Sequence, residues 1–266
     1  EEEEEEEEKS ASGHRRRGSI LYSILKNDGP AERAAHRRPE PPVPPQACSC
    51  ASNRRVALRS PQVTCKAASA VLVKTLRFVK NVPCFRELPA DDQLLLVRSS
   101  WAPLLVLGLA QDRVDFETTE SAEPSMLQRI LTGGRDEDER GDKHGAHRDV
   151  SLADIHAIKA FLNRCWGLDI STKEYAYLKG AVLFNPDLAG LRCLQHICGL
   201  QREAHRALDE HVRMMHRADG ARSARLFVAL STLRSISARV VAELFFRPVI
   251  GTVDMEELLL DLFYGK

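Results

Sequence analysis

An excess of charge of either sign is missing from this chain: its 38 Lys and Arg are matched by 38 Asp and Glu, a formal net charge of zero. No global field draws it to nucleic acid or to an anionic membrane, so any such binding has to be local. Long hydrophobic runs are missing too. The longest candidate, Trp101 to Ala110, falls short of the ~18–20 apolar residues that a bilayer crossing needs, so no membrane association is expected. Cysteine is sparse and odd in number, with seven residues between Cys48 and Cys198. No cleavable signal peptide is read ahead of them, which points to reduced thiols inside a cell rather than a disulfide framework. The first residue is Glu1 rather than Met, as in a fragment.

Catalytic machinery is the next absence. The chain has no glycine-rich phosphate loop, nucleophile elbow, zinc-binding histidine pair on a helix or CxxC pair. His144 and His147 lack a third ligand, and Cys48, Cys50 and Cys65 lack a fourth at zinc spacing. Cys84, Cys165, Cys193 and Cys198 have no readable histidine partner and are expected to be small buried hydrophobes. The expectation is a protein with no catalytic residue, no metal site and no cofactor.

What is present is ordinary globular material. The 266 residues suffice for one large domain with a tail, at 43% hydrophobic and 29% charged residues. Residues 1–65 stand apart. They hold eight consecutive glutamates, then eleven Lys/Arg against three Asp/Glu over residues 9–65, and prolines at 39, 41, 42, 44 and 45. Too few apolar side chains are available there to offset ordering entropy, so the segment is expected to be a disordered tail.

From about Lys66 the spacing turns helical. Leu72, Leu76 and Val79 make one stripe, with Pro83 as the stop. A second helix is expected from near Asp91 to Ala110, bent at Pro103 and apolar almost all round, as in the central layer of an α domain. Gly133 to Asp149 is dense in charge, without a large apolar side chain, and is expected to be a flexible loop. Ser151 with Asp154, and Ser171 with Glu174, have capping-box spacing, the second pair being the better. Long helices are expected over 188–217 and 222–246, and a short extended piece over Val249 to Val253. The expected fold is all-α and layered, with a domain over 66–266.

The stretch TLRFVKNVPCFRELPADDQLLL (75–96) resembles the signature of nuclear-receptor ligand-binding domains, with Lys80, Phe85, Leu88, Asp92, Gln93, Leu95 and Leu96 on its characteristic positions. YLKGAVLFNPD (177–187) resembles a second signature, and RLFVALSTLRSI (225–236) the dimerisation-side helix. Within the family, GSILYSIL (18–25), PCFRELP (83–89), FETTESAEPSMLQ (116–128), STKEYAYLKG (171–180) and ELFFRPVIGTV (243–253) resemble the orphan receptors that lack a DNA-binding domain. The resemblance is to the adrenal hypoplasia branch more than to the small heterodimer partner branch. That branch carries several cysteine-bearing repeats ahead of the domain, where this chain has one LYSIL stretch.

The resemblance implies a layered helical ligand-binding domain and a transcriptional corepressor without direct DNA binding, in nucleus and cytoplasm. Implied partners are activating receptors (steroidogenic factor, liver receptor homologue, oestrogen receptor), corepressor proteins, and a homodimer or a heterodimer with small heterodimer partner. An activating receptor's groove accepts an LxxLL helix, clamped by a lysine at its last carbonyls and a carboxylate at its first amides. Leu21, Ile24 and Leu25 supply that i, i+3, i+4 stripe. Burying three such side chains contributes roughly 1.5–3 kcal/mol each, offset by ordering of the segment, which suggests affinity near micromolar, about −8 kcal/mol.

A second docking element implied by the resemblance is the connector, with Pro83, Cys84, Phe85, Leu88 and Pro89; Phe85 and Leu88 fit interface and core equally well. For the chain's own groove, the resemblance assigns Lys80 and Asp261 as the clamp and Leu258, Leu259, Leu262 and Phe263 to the terminal activation helix. Aspartate stands where the family has glutamate, one methylene shorter. An alternative function is a module that holds a lipid or sterol and switches the terminal helix.

Overall fold

The computed structural model describes residues 54–122, 150–251 and 254–265. The LxxLL-like segment 21–25 and the charged loop 133–149 lie outside them. In chain order the elements are β1 (Arg54–Leu58), α1 (Pro61–Asn81), α2 (Pro83–Arg86), α3 (Ala90–Gln111), β2 (Thr118–Ala122), α4 (Leu152–Leu168), α5 (Thr172–Leu183), α6 (Leu194–Met215), α7 (Arg222–Leu233), α8 (Ala238–Phe245), α9 (Arg247–Ile250) and α10 (Met255–Tyr264).

The layers follow from side-chain distribution. α3 is apolar on nearly every side and is packed between α1 and α5, with α4 and α8 also against it, while α5 carries α6. By length and hydropathy α3 resembles a membrane span, but 67% of its most apolar stretch is buried inside the domain. Its polar residues are accounted for. Ser100 Oγ bonds the Leu96 carbonyl at 2.5 Å, and the fully buried Asp92 accepts from the amides of Arg192 and Cys193, both at 2.8 Å. Burial alone would raise the Asp92 pKa, but those two amides and Arg192 bring it below its ordinary value. One carboxylate thereby ties the start of α3 to the start of α6.

α1 and α3 approach closely at Gly108, where a Cβ would lie 2.6 Å from Val71 Cγ1. Gly108→Ala is therefore expected to lower stability by about 1–3 kcal/mol through overpacking. Gly199→Ala, in α6 with open space around it, is expected to raise stability by up to about 1 kcal/mol through helix propensity. Urea midpoints of the two variants, moving in opposite directions, check the pair.

Several expectations are corrected. The folded region starts before Lys66: β1 pairs antiparallel with β2, Arg54 opposite Ala122 and Leu58 opposite Thr118, and α1 opens at Pro61, whose missing amide is tolerated at a helix start. Residues 188–193 are not helical. Gly190 adopts φ +89° there, before α6 begins. The helix expected over 222–246 breaks between Leu233 and Ala238, where hydroxyls bond back to the chain: Thr232 Oγ1 to the Val228 carbonyl (3.0 Å) and Ser235 Oγ to the Thr232 carbonyl (2.7 Å). Both Ser151–Asp154 and Ser171–Glu174 form complete capping boxes. Arg247–Ile250 is a helical turn, ended by Gly251 at φ +65°, rather than an extended piece.

Candidate partner-docking surface

The last turn of α1, the connector and the terminal helix meet at one place. Pro83 stops α1 and begins the short turn α2. Gln93, in the first turn of α3, donates its side-chain amide to the Leu88 carbonyl (2.8 Å) and the Arg86 carbonyl (3.3 Å), which fixes the connector's path. The Phe85 and Leu88 side chains point inward, 1% and 5% exposed, while Pro83, Arg86 and Glu87 face solvent and Cys84 and Pro89 are half-buried. Phe85 meets the ring of Phe263 edge-on, with centroids 6.0 Å apart. The connector thus forms the bed on which α10 lies.

α10 is held at both ends. Asp254 caps its start by accepting from the Glu256 amide at 2.9 Å, and Arg98 of α3 pairs with Glu256 at 3.6 Å. At the far end, Lys80 Nζ donates to the Leu262 carbonyl in a long bond of 3.4 Å and sits 5.4 Å from the centre of the Phe263 ring. The helix C-terminus gathers partial negative charge, so an ammonium there is well placed. Leu258, Leu259 and Phe263 are buried, and Leu262 closes a cleft of about 130 Å³ lined also by Val73, Leu76, Arg77 and Lys80. Asp261 is half-buried, and its carboxylate pairs with no cation among the described residues. Lys80 and the terminal helix are thus brought together, with the lysine on α10's own last carbonyls and Arg98 at its first turn. Sequence reasoning missed Arg98. The signal available was the polar triplet Arg98-Ser99-Ser100 interrupting an apolar run.

A second constellation lies away from this surface and organises the fold. Glu174, fully buried, accepts from the Ser171 amide (2.8 Å), from Arg222 Nε (2.6 Å) and from Arg222 Nη2 (2.8 Å). Arg222 also donates to the carbonyls of Leu168 (2.9 Å) and Asp169 (3.2 Å), so one guanidinium joins the end of α4, the start of α5 and the start of α7. Burial alone would raise the Glu174 pKa, but Arg222 and the Ser171 amide bring it down to about 2.

No group of three or more His, Cys, Asp or Glu that could hold a metal occurs among the described residues. Burial pushes the thiols of Cys65 and Cys165 up to about 11 and about 12, which leaves them protonated and inert.

Residues 58–250 match the family model described as the ligand-binding domain of nuclear hormone receptor. The chain is 54% identical over 259 residues to nuclear receptor subfamily 0 group B member 1 of Sus scrofa, covering 91% of this chain and 55% of that protein. It is 49% identical over 263 residues to the Homo sapiens protein of that name, covering 94% and 56%. The chain thus spans about half the length of the curated relatives it matches. Among solved structures, the ultraspiracle ligand-binding domain from Drosophila melanogaster shares the fold, with a TM-score of 0.54 and 24% identity, over 77% of this chain and 81% of that one. With a layered helical domain, both signatures in place on α1–α3 and α5, and the family model running from the end of β1 to α9, the chain belongs to the nuclear hormone receptor family.

Proposed function

We propose that the chain is a transcriptional corepressor that inserts the helix carrying Leu21, Ile24 and Leu25 into the coactivator groove of an activating nuclear receptor. Corepressor proteins then gather on the folded domain. The relatives' membership of the receptor family supports a role in transcription regulation. The observation that carries the reading is the contact of Lys80 with the Leu262 carbonyl: the lysine that would receive a coactivator helix is already engaged by α10. A chain whose groove lysine is engaged by its own terminal helix, and whose sequence carries an LxxLL-like stripe at Leu21, Ile24 and Leu25, is suited to act as ligand rather than as recruiter.

The activating receptor has the chemistry of steroidogenic factor, liver receptor homologue or oestrogen receptor, and the work is done in the nucleus, with a cytoplasmic pool. The connector is a second docking element. Its Phe85 and Leu88 are committed to the interior, so a partner reaches it first through Pro83, Arg86 and Glu87. Titrating the intact chain against an activating receptor's ligand-binding domain tests both elements. Leu21→Ala is expected to weaken binding by about 2 kcal/mol, roughly thirtyfold, with the fold unchanged. Arg86→Glu with Glu87→Lys reads the connector without touching the core. Unchanged binding in Leu21→Ala removes the tail helix from the mechanism.

A lipid-switched module is the second reading, and side-chain packing counts against it. Phe116 meets Phe245 edge-on at 5.2 Å and Trp101 meets Phe246 at 6.3 Å, all four buried. These rings fill space between α3, α8 and the strand-side segment that an internal ligand would need.

A further inference from the structure

A different cleft, sharing no lining residue with the one beneath Leu262, has the features of a ligand site. It has a volume of about 340 Å³ and opens between α3, α5, α6 and the segment joining α7 to α8. Space of this size suits one small organic molecule, of about ten carbons. Its apolar surface comes from Pro103, Val182, Leu230 and Leu233.

The polar groups around that surface are unevenly satisfied. Gln201 uses its amide on the Ala181 carbonyl (3.0 Å), and Asn185 uses its oxygen on the Asp187 amide (3.0 Å), which leaves the Gln201 oxygen and the Asn185 amide open to the cleft. Pro103 has no N–H, so the Ser99 carbonyl loses its normal partner within α3, and both residues line the cleft. Arg234, at the C-cap of α7, lines the mouth, and its guanidinium makes no hydrogen bond or ion pair among the described residues, even with Asp187 of the same cleft. Ala238, also on the lining, is the first residue of α8, whose N-cap Ser237 makes no side-chain cap bond, so the positive end of that helix stands at the same end of the cleft.

His205 adds to the asymmetry. Its ring packs edge-on against Phe227 at 5.1 Å. Burial lowers its pKa, Asp209 opposes this and the charge of Arg234 reinforces it, so the imidazole is neutral at neutral pH and does not compete with Arg234 for an anion.

We infer that this cleft binds a small amphipathic carboxylate, its apolar body against Pro103, Val182, Leu230 and Leu233 and its anionic head on Arg234 beside the N-terminus of α8. The guanidinium fork pairs bidentately with a carboxylate, and the recessed apolar walls fix the body. The site shares no lining residue with the cleft beneath Leu262 or with the aromatic interior, so it does not depend on the corepressor reading.

The test is calorimetric titration of the intact chain with naphthalene-2-carboxylate and with its neutral carboxamide. Saturable one-to-one binding of the carboxylate is expected, about tenfold weaker for the carboxamide and about tenfold weaker in Arg234→Gln, with Arg234→Lys recovering part of it. Ala238→Phe, at an exposed position on the lining, is expected to abolish binding by filling the cleft, while melting curves confirm that each variant folds. Absence of saturable binding, equal binding of carboxylate and carboxamide, or full binding in Arg234→Gln or Ala238→Phe overturns the assignment.

Discussion

Glu174→Ala is expected to lower the stability of the domain by about 3–5 kcal/mol, the cost of leaving a buried guanidinium without its carboxylate. A typical domain has only about 5–15 kcal/mol in total, so the variant is expected to melt far earlier or to fail to accumulate. Arg222 carries bonds to α4 and α5 as well as its charge, so its loss also exposes the Leu168 and Asp169 carbonyls. The pH dependence has a definite sign. In the folded chain the Glu174 pKa is about 2, against an ordinary 4.5, so the unfolded chain binds the extra proton between those values. The stabilisation is complete above pH ~4.5 and is lost as pH falls toward ~2. Across that window it amounts to about 3 kcal/mol at 1.36 kcal/mol per unit. Chemical denaturation of the wild type and Glu174→Gln at a series of pH values is expected to give a profile that falls with acid for the wild type and is flatter for the variant. A parallel fall in both removes Glu174 as the source.

Phe85→Ala is expected to cost about 3–5 kcal/mol, as for truncation of a large buried aromatic, because the side chain is 1% exposed and braces Phe263. A side chain reserved for a partner's surface would leave the stability of the free chain unchanged, so thermal melts separate the two roles. The same variant is expected to loosen α10, whose bed it removes, and to make the C-terminus a faster target of carboxypeptidase than in the wild type. Lys80→Gln should do so to a smaller degree, since it removes one long hydrogen bond and one cation–ring contact. Lost partner binding in a Phe85 variant is therefore ambiguous, which is why the exposed Arg86 and Glu87 are the informative positions.

Local features were legible in the sequence and long-range ones were not. The stop at Pro83, the helix running through Pro103 and the capping box at Ser171 each follow from residues within a turn of one another. Arg222 is 48 residues from Glu174, and no spacing rule reaches that far. The break after Leu233 was hidden because Leu226, Leu230 and Leu233 keep helical spacing up to it, and the competing hydroxyls read as ordinary surface residues. β1 and β2 escaped notice because a two-stranded ribbon of five residues each gives almost no alternation to count. The terminal helix was legible as an element, and Lys80 as a residue of the same helix as Leu72, Leu76 and Val79. That the lysine would meet the backbone of α10 rather than stand opposite Asp261 depends on where the chain returns after α9, which local pattern does not encode.

The measurement closest to the central claim is displacement. An activating receptor's ligand-binding domain is loaded with a fluorescent LxxLL coactivator peptide, and the intact chain is added while the peptide's anisotropy is followed. The chain is expected to release the peptide completely in a one-to-one manner, and the Leu21→Ala, Leu25→Ala double variant to leave it bound. A stable ternary complex, with the peptide still held while the chain is on the receptor, would contradict docking in the coactivator groove.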